Sequence, residues 1–134
     1  MGSNTIPQKV YTLLSAVSGA GPTSSVSFSL RGIRKCTVFV TRASGTTGNS
    51  DVTATASADG TNYVTFNGFI TNAVNANTAF TARVATINLS TNTTKMITMD
   101  MDYASPLDQV IFTLTNTSGT DDGVYTVKLV TEYY

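Results

Sequence analysis

The sequence predicts an all-β protein, a single antiparallel β-sandwich of about eight strands with jelly-roll-like connectivity. Three observations lead there. Apolar residues recur with a period of two along most of the 134 residues, the spacing of strands with one buried face. Clusters of Gly, Ser, Asn and Thr interrupt these runs at 18–25, 45–50, 71–78 and 90–94, and short strands parted by turn signals read as a sandwich or barrel. No useful helical stripe exists. The one candidate, 73–82, carries Asn75, Asn77, Thr78 and Thr81, residue types that disfavour helix interiors. Eight strands fit a jelly roll, and the length fits one domain.

Taken in order, Val10 to Leu14 forms the first strand, after an N-terminal arm over residues 1–9; residues 10–134 make the domain. Val26, Phe28 and Leu30 alternate with Ser25, Ser27 and Ser29, a strand with a hydroxyl face. Cys36 to Thr41 is apolar on both faces around Phe39 and reads as central. Val52, Ala54 and Ala56 alternate with Thr53, Thr55 and Ser57. Ala58-Asp59-Gly60-Thr61 then supplies a tight turn, because Asp-Gly accepts positive φ, and the chain returns through Tyr63 to Phe66, with Val64 and Phe66 on one side. Phe80, Ala82 and Val84 share one phase, whereas Ala85, Ile87 and Leu89 share the other. A β-bulge in one strand produces such a slip, and so do two strands joined by a bend. Ile97, Met99, Met101 and Tyr103 alternate with Thr98, Asp100 and Asp102. After Pro106, Val110, Phe112 and Leu114 resume the pattern, and Tyr125, Val127 and Leu129 face inward in the last strand. The expected core is Phe28, Val38, Val40, Phe66, Ile87, Met99, Phe112, Tyr125, Val127 and Leu129.

Composition removes several functions. There are 16 charged residues, 12% of the chain, and they sum to zero. Without His there is no imidazole base, His metal ligand or His switch. A lone Cys36 forms no internal disulfide and no thiolate zinc site, and reads as a small core residue. Eight scattered cations do not make the basic stripe that nucleic acid requires, and no apolar run is long enough for a membrane-spanning helix. Hydrophobic content of 41% suffices for a core, so low charge does not mean disorder.

Candidate chemistry is thin. Asp100 and Asp102, with Asp108 beyond, are the best metal ligands available. They share a strand face about 7 Å apart, so a hard cation would need loop carbonyls to complete its shell; solubilising an outer strand face is the simpler role. Asp121-Asp122-Gly123 belongs to a turn. Acid–base catalysis needs placed carboxylates, and the single Glu is Glu132. Neither a Gly-x-Ser-x-Gly elbow nor a phosphate loop with its Lys occurs. The sequence thus predicts no enzyme and no cofactor. Arg31, Arg34, Lys35 and Arg42 are expected to decorate the connection between two strands. The three Asn-x-Ser/Thr sequons, at Asn88, Asn92 and Asn116, follow from a composition with 25 Thr, 13 Ser and 10 Asn. The start Met1-Gly2-Ser3-Asn4-Thr5-Ile6 lacks the regions of a signal peptide, and a cytosolic origin is expected.

The surface is the informative part. Soluble domains keep apart with about a quarter to a third charged surface and a net charge away from zero. Here the outward positions are Ser, Thr and Asn, which desolvate at lower cost than ions, a surface suited to a subunit packed in an assembly. Ser57-Ala58-Asp59-Gly60-Thr61-Asn62-Tyr63-Val64-Thr65-Phe66, within a Thr/Ser/Asn-rich all-β chain, resembles small jelly-roll or sandwich virion proteins of tailed bacteriophages. The resemblance implies a non-enzymatic capsid decoration (cement) protein, made in the host cytoplasm and located on the virion. Its implied partners are itself, as a homo-oligomer (trimers suit three-fold capsid positions), and the major capsid protein or other virion proteins. Tail, neck or head-fibre components are the neighbouring roles; a glycan-binding sandwich presenting Tyr63, Tyr103 or the terminal tyrosines is the rival. Contacts are expected from the chain ends: Ile6, Pro7 and Lys9 of the arm, and Tyr133 and Tyr134.

Overall fold

A computed structural model of the chain describes residues 8–72, 81–101 and 107–134, and of 71, 72, 81 and 82 the backbone alone. Among these residues twelve strands form: β1 (Gln8–Ser18), β2 (Thr23–Ser24), β3 (Phe28–Ser29), β4 (Ile33–Ala43), β5 (Ser50–Ser57), β6 (Val64–Thr65), β7 (Phe69–Asn72), β8 (Thr81–Val84), β9 (Thr86–Leu89), β10 (Thr94–Met99), β11 (Gln109–Asn116) and β12 (Val124–Tyr133). Sheet A runs β1-β12-β4-β10-β7-β8. Sheet B runs β2-β11-β5-β6, with β3 also on β11 and β9 also on β5.

Four antiparallel pairings nest inside one another: β1 with β12, β2 and β3 with β11, β4 with β10, and β5 with β9. Rolled up, this long hairpin places β12 beside β4 and β11 beside β5. That is the wiring of a jelly roll. Strands β6, β7 and β8 are an insertion between β5 and β9.

The core lies between the sheets and follows the alternation. Val38 and Val40 of β4, Val127 and Leu129 of β12, Val52, Ala54 and Ala56 of β5, and Phe112 and Leu114 of β11 are all buried. Phe66 meets Phe69 edge-on at 5.2 Å, and Phe69 meets Phe112 at 6.0 Å, an arrangement aromatic rings favour. Cys36 is buried, and burial pushes its thiol up to about 12; it packs as a small apolar residue. Of the expected core, Phe28 alone is only partly buried, packed against the core edge.

Two local expectations need correction, and one alternative left open by the sequence is resolved. The 25–30 strand is broken: Thr23 and Ser24 pair with Leu114 and Thr113, and Phe28 and Ser29 with Val110 and Gln109. Between them Ser25 turns inward. Its N–H donates to the Phe112 carbonyl (2.8 Å), and its Oγ accepts from the Phe112 N–H (3.0 Å). Three residues thus oppose two, and this bulge throws Val26 outward, 82% exposed. Val64 does not share the buried side of Phe66: it is 65% exposed, because the two-residue β6 ends before Phe66 turns into the core. The phase slip near Ala85 is a change of sheet, β8 pairing with β7 in sheet A and β9 with β5 in sheet B. Crossing over puts the core on the strand's other side, so the inward parity changes.

Candidate docking surface

The outer face of sheet A differs from the rest of the exterior. Its strands bury Val38, Val40, Val127, Leu129 and Ile97, so their neighbours in sequence point out. Register then aligns the outward residues across strands. Val10 lies opposite Val130, Lys128 opposite Phe39, Phe39 opposite Met96, and Thr126 opposite Thr41, itself opposite Thr94. Val10 is 63% and Met96 68% exposed. Val10, Phe39, Thr41, Thr94, Thr126, Lys128 and Val130 line a shallow groove of about 410 Å³. A second hollow of about 460 Å³ lies toward the other end of the sheet, between Arg34, Lys35, Thr37, Thr98 and Asp100. Ion pairs Arg34–Glu132 and Arg83–Asp100, both 2.6 Å, belong to that charged end. The face therefore runs from apolar and threonine-rich to charged. The facing positions of sheet B are Thr53, Thr55, Thr113 and Thr115 around Ile111, a hydroxyl surface.

The chain-end residues gather at one edge, not on that face. Tyr11 and Tyr133 share a hydrogen bond between hydroxyls (2.8 Å), the Tyr11 ring meets Phe28 edge-on at 4.8 Å, and Lys9 Nζ lies 5.9 Å from the Tyr133 ring centre. Tyr133 is half-buried in this packing. Tyr134 is 86% exposed, its N–H donating to the Gly32 carbonyl at 3.1 Å. Ile6 and Pro7 lie outside the described residues, as do Asp102 and Tyr103. The ladder with β12 begins at Gln8 and Lys9, opposite Glu132 and Thr131. Tyr11, the third member of the edge cluster, is not legible as such, because its partner is 122 residues away.

Seven carboxylates fall within the described residues, and each is committed to local structure. Asp51 accepts from Asn88 (2.7 Å), Asp108 pairs with Arg31 (2.5 Å), and half-buried Asp100 with Arg83. The N–H groups of Asn62 and Thr61 hold the Asp59 carboxyl well below the usual range, helped by the Asn62 and Ser57 side chains. The Thr46 hydroxyl and the N–H groups of Thr47 and Thr46 do the same for Asp122. Among the described residues no group of three or more His, Cys, Asp or Glu forms a metal cluster.

Arg42 overturns its expected place on the surface. It is 3% exposed, on the inward face of β4 opposite Tyr125. Its guanidinium bonds Asp121 (3.2 Å), the Tyr125 hydroxyl (3.1 Å), Asn92 Oδ1 (3.2 Å) and the carbonyls of Thr47 (2.9 Å) and Gly48 (3.1 Å). Asp121 also accepts from Ser50 Oγ, Tyr125 Oη (both 2.5 Å) and the Gly123 N–H. Burial opposes its ionisation, but those donors outweigh it and hold the carboxyl below its ordinary value. Burial, then the hydrogen bond donated to Asp121, pushes the Tyr125 hydroxyl up. Cβ atoms at Gly45 or Gly123 would strike the guanidinium at 2.4–2.5 Å. Gly48 (φ +82°) has no room at all, a Cβ there falling 1.7 Å from the Thr120 carbonyl. The cluster clasps the loops around Thr47, Asn92 and Asp121 together.

No protein-family model and no curated protein matches this chain. Among solved structures it is similar to the crystal structure of SPBc2 prophage-derived protein YomS, with a TM-score of 0.62 and 14% identity, over 98% of this chain and 97% of that one. At this identity the likeness is one of fold, here the fold of a protein encoded by a prophage.

Proposed function

We propose that this chain is a non-enzymatic structural subunit of a phage particle, a capsid decoration protein that docks through the outer face of sheet A. The observation that carries the reading is end-to-end likeness of fold to a prophage-derived protein. The surface supports it. A face combining Val10, Phe39, Met96 and Val130 with threonines offers apolar area and hydroxyls that desolvate at modest cost, while Lys128 and Lys35 set its orientation by charge. The described carboxylates are compatible with it, being spent on ion pairs and turns. Such a subunit is made in the host cytoplasm and joins the capsid lattice there; a tail or neck component would use the same face on a different particle.

The test is cosedimentation of purified chain with capsids and with isolated tails. Capsid binding is expected, and binding to tails alone would move the protein to the tail. Met96→Asp is expected to weaken capsid binding at least about tenfold, or 1.4 kcal/mol, with the melting temperature unchanged because the position is 68% exposed. Equal binding by native chain and variant would remove the face from the proposal.

A further inference from the structure

Strand β1 is an edge. Over Gln8–Thr12 it runs in unbroken register against β12, from Gln8 opposite Glu132 to Thr12 opposite Lys128. Among the described residues no strand covers its other side. Proteins guard such edges with charges, prolines, bulges or brevity. The neighbouring edge of sheet B is guarded, being cut into β2 and β3 by the Ser25 bulge. Strand β1 is eleven residues long, and its register shifts come only after Thr12. Over Gln8–Thr12 it has no proline and one charge, Lys9.

We propose that this segment pairs with itself: Gln8–Thr12 of one chain lies antiparallel beside Gln8–Thr12 of a second copy, joining two sheets A across a two-fold axis at Val10. The register follows from parity and charge. Keeping both cores on one side of the joined sheet requires outward residues to oppose outward residues, since a slip of one exchanges the faces. Three registers remain near the strand's start. Centring on Lys9 opposes two like charges, which destabilises. Centring on Tyr11 draws the bulged residues after Thr12 into the ladder. Centring on Val10 places Gln8 opposite the second copy's Thr12, Lys9 opposite its Tyr11 and Val10 opposite its Val10. The one cation then meets an aromatic ring, a favourable pair, and the 63%-exposed Val10 is covered by its twin. Zero net charge leaves little repulsion to oppose association. The two apolar grooves, each lined by Val10, Val130 and Phe39, become one continuous surface.

Dimerisation through β1 does not depend on the docking proposal and is tested apart from it. Sedimentation equilibrium of the full chain is expected to give twice the 14.1 kDa chain mass. Val10→Asp and Val10→Lys, each opposing like charges, are expected to halve that mass with an unchanged circular dichroism spectrum. An equal mixture of the two variants restores it. Val10→Cys is expected to cross-link under mild oxidation, since directly opposed antiparallel positions lie within disulfide reach and Cys36 is buried; Val64→Cys, equally exposed, does not. A single-chain mass for the native protein at micromolar concentration overturns the proposal. So does an oligomer that persists in Val10→Asp, or one whose Val10→Cys variant fails to cross-link. Loss of capsid binding by a chain that remains dimeric touches the docking reading alone.

Discussion

At the scale of single residues, the Arg42–Asp121 clasp concentrates the most consequence in the fewest atoms. Two opposite charges are buried together, and each finds further hydrogen bonds that satisfy its remaining polar atoms. Removing one partner of such a pair leaves an uncompensated buried charge, at a cost of about 3–5 kcal/mol. Asp121→Ala is therefore expected to lose that much in urea unfolding, and to loosen the 45–49 loop. The same group dictates the acid response. Asp121, Asp59 and Asp122 all titrate below their ordinary 3.8 when folded. A depressed carboxyl contributes stability above its unfolded pKa and loses it as pH falls toward the folded value. Melting temperature is thus expected to stay level between about pH 5 and 7, where no His titrates, and to fall below about pH 4. A midpoint that rises in acid would contradict the assignment. Arg42 was not legible as buried: in sequence it is one of four cations near Gly32, and its anion stands 79 positions away.

At the scale of elements, alternation identified the strands wherever both neighbours continue past them. The residues that lead β4, β5, β11 and β12 inward are those whose period of two is longest. Phe112, at the middle of β11 and fully buried against Phe69, is the natural probe: Phe112→Ala is expected to cost about 3–5 kcal/mol in denaturant unfolding, with no change in any surface contact. Alternation misled where an element breaks or ends. Val26 keeps the spacing of Phe28 and Leu30 and is nonetheless outside, because the Ser25 side chain stands in for a backbone partner. The slip at Ala85 was visible, but a bulge and a crossover leave the same trace in one dimension.

For the whole molecule, a low and balanced charge leaves little repulsion between surfaces that meet, and the docking face and the β1 edge are where covering is proposed. Deleting Met1 to Gln8 takes away the seven residues before β1 and the first residue of β1, and none of the described core residues. The truncated chain is expected to unfold cooperatively near the native midpoint while its assembly weakens, read as a lower mass at matched concentration and reduced capsid cosedimentation; unchanged mass and affinity would refute a role for this end. The class of fold, most of the core and the ion-poor composition were all determined by the order of residues alone, because a two-residue period and composition are local properties; the count of about eight strands fell short of the twelve described, because two-residue strands leave too little alternation to read. Which strands lie side by side, which cation is buried, and which outward residues form one face were decided only in three dimensions. The reason is physical: a rolled hairpin joins residues near one end of the chain to residues near the other, as Lys9 meets Thr131, and no pattern within a short window carries that pairing.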